Sequence, residues 1–88
     1  MNIKILGTGC AKCHALEKMV KEVVDEFQVS ATVEEIKDMK KILEYPILMT
    51  PGLVIDEQVV SSGKALAKKE VTQLIMNALE KEEQGKGS

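Results

Sequence analysis

The chain has 88 residues, 44% hydrophobic and 30% charged, which fits one small globular domain and excludes a disordered chain. Twelve basic and fourteen acidic residues leave a net charge of −2, so the basic surface of a nucleic-acid or anionic-membrane binder is not expected. No apolar run approaches the roughly 18 residues of a membrane span, and the N-terminal apolar stretch is too short for a signal peptide. We therefore expect a cytoplasmic monomer with reduced thiols and with neither nucleic acid nor membrane as a partner.

The first half of the chain alternates strand and helix signals. Residues 1–6 are predicted to form a short strand that ends at Gly7, where glycine lets the chain turn sharply. Residues 11–27 have their apolar positions at the spacing of one buried helix face. Residues 29–36 alternate between apolar and polar, which is typical of a strand with one polar face. The predicted buried face of the helix is formed by Leu16, Met19, Val20, Val23, Val24 and Phe27.

A short helix is predicted next. Asp38 is a suitable N-cap for a helix over residues 39–44, and Pro46 prevents the helix from continuing. We expect this helix to bury three apolar side chains against the sheet. They are Met39, Ile42 and Leu43.

The second half of the chain predicts a hairpin and a last helix. Two apolar triplets, residues 53–55 and 58–60, flank Asp56-Glu57 and indicate antiparallel strands joined by a two-residue turn. Residues 67–81 have helical periodicity, although neither of the first two has a side chain that can accept the hydrogen bond of an N-cap. Residues 82–88 are polar, and we expect them to be a disordered tail. The predicted buried face of the last helix is formed by Val71, Leu74, Ile75, Ala78 and Leu79.

These elements follow the order β-α-β-α-β-β-α. A strand–helix–strand unit favours a parallel pair of strands, and the hairpin adds an antiparallel pair. The predicted fold class is therefore α/β, with a four-stranded mixed sheet that has helices on both faces. We expect one domain over residues 1–81.

The only two cysteines, Cys10 and Cys13, form a C-x-x-C pair. A disulfide closing so short a loop would stabilise the fold by only about 2 kcal/mol, which argues against a structural staple. A structural zinc site needs four ligands, and the nearby His14 follows Cys13 directly, so on a helix it points about 100° away from that cysteine. We therefore expect no structural metal, which leaves redox chemistry or the transient capture of a soft metal ion.

A soft-metal carrier is the alternative function, because two thiolates suit Cu(I). The usual copper-carrier fold runs β-α-β-β-α-β, whereas this chain inserts a helix after its second strand. It also has Thr8 where such carriers have a methionine, two residues before the first cysteine.

The position of the pair predicts different roles for the two thiols. Cys10 lies at the start of the long helix, where unpaired N–H groups and the helix dipole favour a thiolate, and Lys12 adds a nearby positive charge. Cys13 lies one turn further on the same face, where we expect its sulfur to be buried. Cys10 is thus predicted to be the attacking nucleophile and Cys13 the resolving thiol.

A second feature is Thr50-Pro51-Gly52, which stands directly before the predicted hairpin. Proline is tolerated at the first residue of a strand, because its missing N–H leaves no gap in the ladder there. Pro51 is therefore expected to begin the first strand of the hairpin.

Together these features resemble the thioredoxin-like superfamily, and within it the small archaeal and bacterial redox-active disulfide proteins, also called glutaredoxin-like thioredoxins. The resemblance covers about residues 1–80. It rests on Gly7-Thr8-Gly9-Cys10-Ala11-Lys12-Cys13, Leu16-Glu17-Lys18, Thr50-Pro51-Gly52-Leu53, Gly63 and Lys69-Glu70.

The resemblance implies a thiol–disulfide oxidoreductase that needs no cofactor. It would exchange disulfides with proteins or small thiols and be regenerated by a reductase not identifiable from the sequence. The resemblance also implies a cis peptide bond at Pro51, opposite the disulfide. The backbone of Thr50 would then pair with the extended chain of a partner.

The sequence departs from the better-known branches of the superfamily. The Trp-Cys-Gly-Pro-Cys of ordinary thioredoxins and the Cys-Pro-Tyr-Cys of ordinary glutaredoxins are absent. Lys4 stands six residues before Cys10, where thioredoxins have a buried aspartate that assists proton transfer. No Gly-Gly-x-Asp follows the hairpin, so the glutathione-binding pattern of glutaredoxins is incomplete.

Overall fold

The predicted order of elements is confirmed by a computed structural model, which describes residues 1–47 and 49–86, with side chains through residue 82. Within these residues the fold is α/β, with four strands and three helices. In chain order the elements are β1 (Asn2–Leu6), α1 (Ala11–Glu26), β2 (Thr32–Ile36), α2 (Met39–Ile42), β3 (Gly52–Ile55), β4 (Gln58–Ser62) and α3 (Lys68–Lys86).

The four strands form one mixed sheet in the order β2-β1-β3-β4. β1 pairs in parallel with β2, with Ile3 opposite Val33, as the strand–helix–strand unit predicts. β1 pairs antiparallel with β3 on its other side, and β3 pairs antiparallel with β4. β1 is an inner strand of the sheet, and the cysteine loop follows its last residue. The loop therefore lies at the C-terminal end of β1, near the middle of the sheet.

Each face of the sheet is covered by helix. On one face α1 and α3 pack together over the side chains that alternate along β1 and β3. The opposite face is covered by α2 and the segment after it, with a smaller core of Leu6, Ile42 and Val54. The larger core comprises Ile3, Ile5, Leu16, Val20, Val23, Leu53, Ile55, Val71 and Ile75.

The hairpin turn is confirmed at its predicted position. Asp56 and Glu57 both have left-handed backbones, with φ of 49° and 67°. Two such residues in succession give a type I′ turn, whose twist matches that of the flanking strands. The Asp56 side chain also accepts a hydrogen bond of 2.8 Å from the N–H of Asn2, which ties the turn to the start of β1.

Several apolar residues that were predicted to be buried are exposed. Phe27 is 53% exposed, because α1 ends at Glu26 and Phe27 is the C-cap beyond the packed face. Met39 and Leu43 are 52% and 74% exposed, so that prediction was wrong for both. The helix α2 is a single turn, and only Ile42 of its apolar residues faces the sheet.

The boundaries of several elements also differ from the sequence prediction, most of all those of β2 and α3. β2 begins at Thr32 rather than at residue 29, because the N–H of Val29 is bonded back to Val24 at the end of α1. α3 continues through Lys86, five residues beyond its predicted end. The division between a domain of residues 1–81 and a tail of residues 82–88 stays a prediction, and residues 87 and 88 lie outside the described residues.

The backbone N–H of the residue before α3 has a side-chain acceptor that the sequence did not predict. Glu70 accepts a hydrogen bond of 3.1 Å from the N–H of Ala67 through its side chain. This is half of a capping box, in which the acidic residue of the first turn reaches back to the N-cap.

Among the described residues, no helix is both long enough and apolar enough to cross a membrane.

Candidate functional site

The two cysteines lie where β1 gives way to α1. Cys10 is the N-cap of α1, with an extended backbone, and its side chain is exposed. Cys13 is in the first turn of the helix and is completely buried, because its face of α1 packs on the sheet. Both thiols are free, and their sulfurs lie 2.8 Å apart. One thiol is therefore open to a partner while the other is held in contact behind it.

The surroundings of the pair shift the pKa values of the two thiols in opposite directions. The pKa of Cys10 is lowered, chiefly by the hydrogen bond with the Cys13 side chain, and further by the backbone N–H groups at the start of the helix. The pKa of Cys13 is raised, chiefly by burial and then by the sulfur of Cys10. Of the two thiols, exposed Cys10 therefore loses its proton before buried Cys13 does.

Gly7 provides the space into which Cys13 packs. It is buried directly after β1, and its N–H donates to the carbonyl of Ile36 at the end of β2. A Cβ at this position would overlap the Sγ of Cys13 and would lie 4.0 Å from the Cα of Pro51. The sequence predicts only a turning role for Gly7, because the position of a glycine in the chain does not reveal which side chain packs against it.

Pro51, preceded by Thr50, lies next to Gly7 on the side of that glycine that faces the Cys13 sulfur. The peptide bond between them is cis, Pro51 is buried, and Thr50 is partly exposed. The carbonyl of Pro51 accepts a hydrogen bond of 2.8 Å from the N–H of Gly63 after β4. The Thr50–Pro51 segment is about 40 residues from the cysteines in sequence. In the fold it lies beside them, at the end of β1.

Comparisons with known proteins identify the family of this arrangement. A family model for the thioredoxin domain matches residues 1–76. The chain is 40% identical over 75 residues to a thioredoxin of Methanothermobacter thermautotrophicus, covering 85% of this chain and 97% of that protein. It is 33% identical over 78 residues to a thioredoxin of Methanocaldococcus jannaschii, covering 89% and 90% of the two chains.

The chain belongs to the thioredoxin-domain family. Together with the close Cys10–Cys13 pair, the comparisons establish a thiol–disulfide oxidoreductase, whose substrates contain disulfides and whose reduced form is restored by a reductase. The resemblance in the sequence is thereby confirmed. The soft-metal carrier gains no support from these relatives, and the order of elements differs from that of copper carriers.

Lys12 acts on the thioredoxin-type pair through its backbone. Its side chain is exposed on the first turn of α1. Among the groups that lower the pKa of Cys10, Lys12 contributes by its N–H rather than by its ammonium group. Any tuning by the Lys12 side chain stays a prediction from the sequence.

Lys4 points away from the redox pair. Its Nζ donates to Glu57 Oε1 at 2.6 Å and to the hydroxyl of Tyr45 at 3.1 Å. The pKa of Lys4 is raised, chiefly by the hydrogen bond to Glu57. Glu57 is in the hairpin turn, which lies beside the first residue of β1. The cysteines come after the last residue of that strand. Lys4, in the middle of β1, therefore directs its charge towards the hairpin turn and is not a substitute for the proton-transferring aspartate of ordinary thioredoxins.

The lowered pKa of Cys10 predicts selective alkylation. In the reduced protein, iodoacetamide should modify Cys10 first, and the rate should reach half its maximum below about pH 8.5, the ordinary thiol pKa. The Cys13→Ala variant should move this midpoint to higher pH, because it removes the largest cause of the lowered pKa. Mass spectrometry of quenched samples gives the rate at each thiol. Equal rates at both thiols would contradict the separation of the two acidities.

Proposed function

We propose that Cys10 is the attacking thiol and Cys13 the resolving thiol of this oxidoreductase. The Cys10 thiolate attacks one sulfur of a partner disulfide, which forms a mixed disulfide and releases the other partner sulfur as a thiolate. Cys13 then loses its proton and attacks the Cys10 sulfur, which forms the Cys10–Cys13 disulfide and releases the partner's second thiolate. The partner gains two electrons, and the two cysteines lose them.

One observation carries this assignment: exposed Cys10 lies 2.8 Å from buried Cys13, sulfur to sulfur. A partner can reach only the first sulfur. Once the mixed disulfide has formed, the second sulfur is already in contact with its target. Cys10 therefore attacks first, because only its sulfur is exposed to the partner, and Cys13 attacks second.

The partner-binding surface that we propose includes Thr50 and Pro51. An extended segment of the partner would lie beside the partly exposed backbone of Thr50, as in strand addition. A shallow apolar groove of about 360 Å³ begins at Thr50 and supports contact with apolar side chains near the partner disulfide. It is lined by Met39, Ile42, Leu43, Ile47, Met49 and Thr50.

This groove favours a protein disulfide over a small-molecule disulfide as the substrate. Met39, Leu43 and Met49 are exposed large apolar residues, and covering them would add to the affinity for a peptide segment. We further propose that the protein acts as a monomer in the cytoplasm, where a reductase keeps its two thiols reduced.

The test of the proposed function is a redox equilibrium. The protein is equilibrated in dithiothreitol buffers of graded ratio, and the free thiols of Cys10 and Cys13 are counted after acid quenching. We expect a reversible two-electron couple between about −180 and −300 mV, the range of working oxidoreductases. A pair that shows no reversible couple, or one too low for cellular thiols to reduce, would contradict the proposal.

A further inference from the structure

Three side chains outside the dithiol site converge beside the start of α1. His14 and Glu17 are three residues apart on α1 and therefore share a face of that helix. Glu35 is on β2, next to this face. One potential ligand atom from each of the three residues lies within 4.8 Å of the others. None of the three has a part in the proposed disulfide exchange.

The two carboxylates of this cluster are not ordinary surface acids. The side chain of Glu35 is only 12% exposed and that of Glu17 only 22%. Two carboxylates this close repel each other when both are ionised, and their limited exposure weakens the screening by water, although the His14 side chain beside them is exposed. The arrangement is therefore costly unless a positive charge balances it.

Two lysines with exposed side chains provide counter-charges for these carboxylates. Glu35 Oε1 is fully buried and receives no hydrogen bond from the described residues. Its nearest cation is Lys37, whose Nζ lies 3.4 Å away but whose side chain is 63% exposed. Glu17 has a similar partner in Lys21, at 3.8 Å and with a 61% exposed side chain. Both ammonium groups belong to exposed side chains and are screened by water, so a divalent ion bound between the two carboxylates would balance their charge more fully.

We propose that His14, Glu17 and Glu35 form a binding site for a divalent transition-metal ion such as Zn²⁺. One imidazole nitrogen and two carboxylate oxygens are ligands that Zn²⁺ accepts. Three protein ligands leave a fourth position for water or a small anion. The site uses no thiolate, because the Cys13 sulfur is packed against Gly7 and the Cys10 sulfur.

The experiment measures Zn²⁺ binding by calorimetry in a Cys10→Ser/Cys13→Ser background, so that no thiolate contributes. We expect one ion per chain. Glu35→Gln and His14→Ala should each weaken binding at least about tenfold, the loss that even outer-shell partners of a metal site produce. Co²⁺, titrated in the same background, should give weak visible bands of a nitrogen and oxygen site and no sulfur charge-transfer band.

Two further variants separate a metal site from an ion-pair cluster. Glu34→Gln is the matched control, because Glu34 precedes Glu35 on β2 but is exposed. This variant should bind Zn²⁺ with unchanged affinity. Lys37→Met should tighten Zn²⁺ binding about two- to fivefold, since the ammonium competes for Glu35. Circular dichroism confirms that each variant is folded. Absence of binding in the background protein, or equal affinity in all variants, would overturn the proposal.

Discussion

Replacing Cys10 by serine should lower the rate of disulfide reduction at least about a thousandfold, because a serine hydroxyl is not ionised near neutral pH and does not attack disulfides. The reduction of insulin by dithiothreitol, followed by turbidity, measures the effect. The rate with dithiothreitol alone is the baseline. Wild-type catalysis that survives in Cys10→Ser would contradict the role of Cys10 as the attacking thiol.

The Cys13→Ser variant is the matched control, because it changes the same atom in the second cysteine. Its Cys10 can still attack, but the mixed disulfide cannot be resolved within the chain. We therefore expect a covalent adduct between Cys10 and the substrate, visible by mass spectrometry and released by excess dithiothreitol. An adduct that accumulates on Cys10→Ser instead would reverse the two roles.

The parts of the fold that could be predicted are those determined by residues close to one another in the sequence. The apolar spacing of α1 predicts both the helix and its buried face, and the position of Cys10 before that helix predicts an exposed, activated thiol. Asp38 caps α2 as expected, since its side chain accepts a hydrogen bond from Lys40. Each of these features depends on residues fewer than five positions apart.

The remaining features depend on contacts between distant residues. Lys4 pairs with Glu57, 53 positions away, and nothing near Lys4 in the sequence indicates that its charge is directed towards the hairpin turn. Glu35 meets Glu17 only because β2 lies beside α1. The periodicity of α2 likewise could not show that a single helical turn presents only Ile42 to the sheet, which leaves Met39 and Leu43 for the apolar groove.

Gly7→Ala should destabilise the reduced protein by about 1–3 kcal/mol, as overpacking of a dense core does. The backbone of Gly7 is not among those with positive φ, so the cost is steric rather than conformational. The added methyl group meets the Cys13 sulfur, which is buried and has no space to retreat. Urea unfolding in excess dithiothreitol measures the loss as a lower midpoint with an unchanged slope.

A double-mutant cycle with Cys13→Ala identifies the source of this cost. If the sulfur of Cys13 is the obstacle, Gly7→Ala should cost much less in the Cys13→Ala background, with a coupling of about 1 kcal/mol or more. The same full cost in both backgrounds would place the conflict elsewhere, for example at Pro51, which is 4.0 Å from the added atom. A coupling of the expected size would show that Gly7 sets the position of the resolving sulfur. The 2.8 Å contact that lowers the pKa of Cys10 then depends on a residue three positions before it.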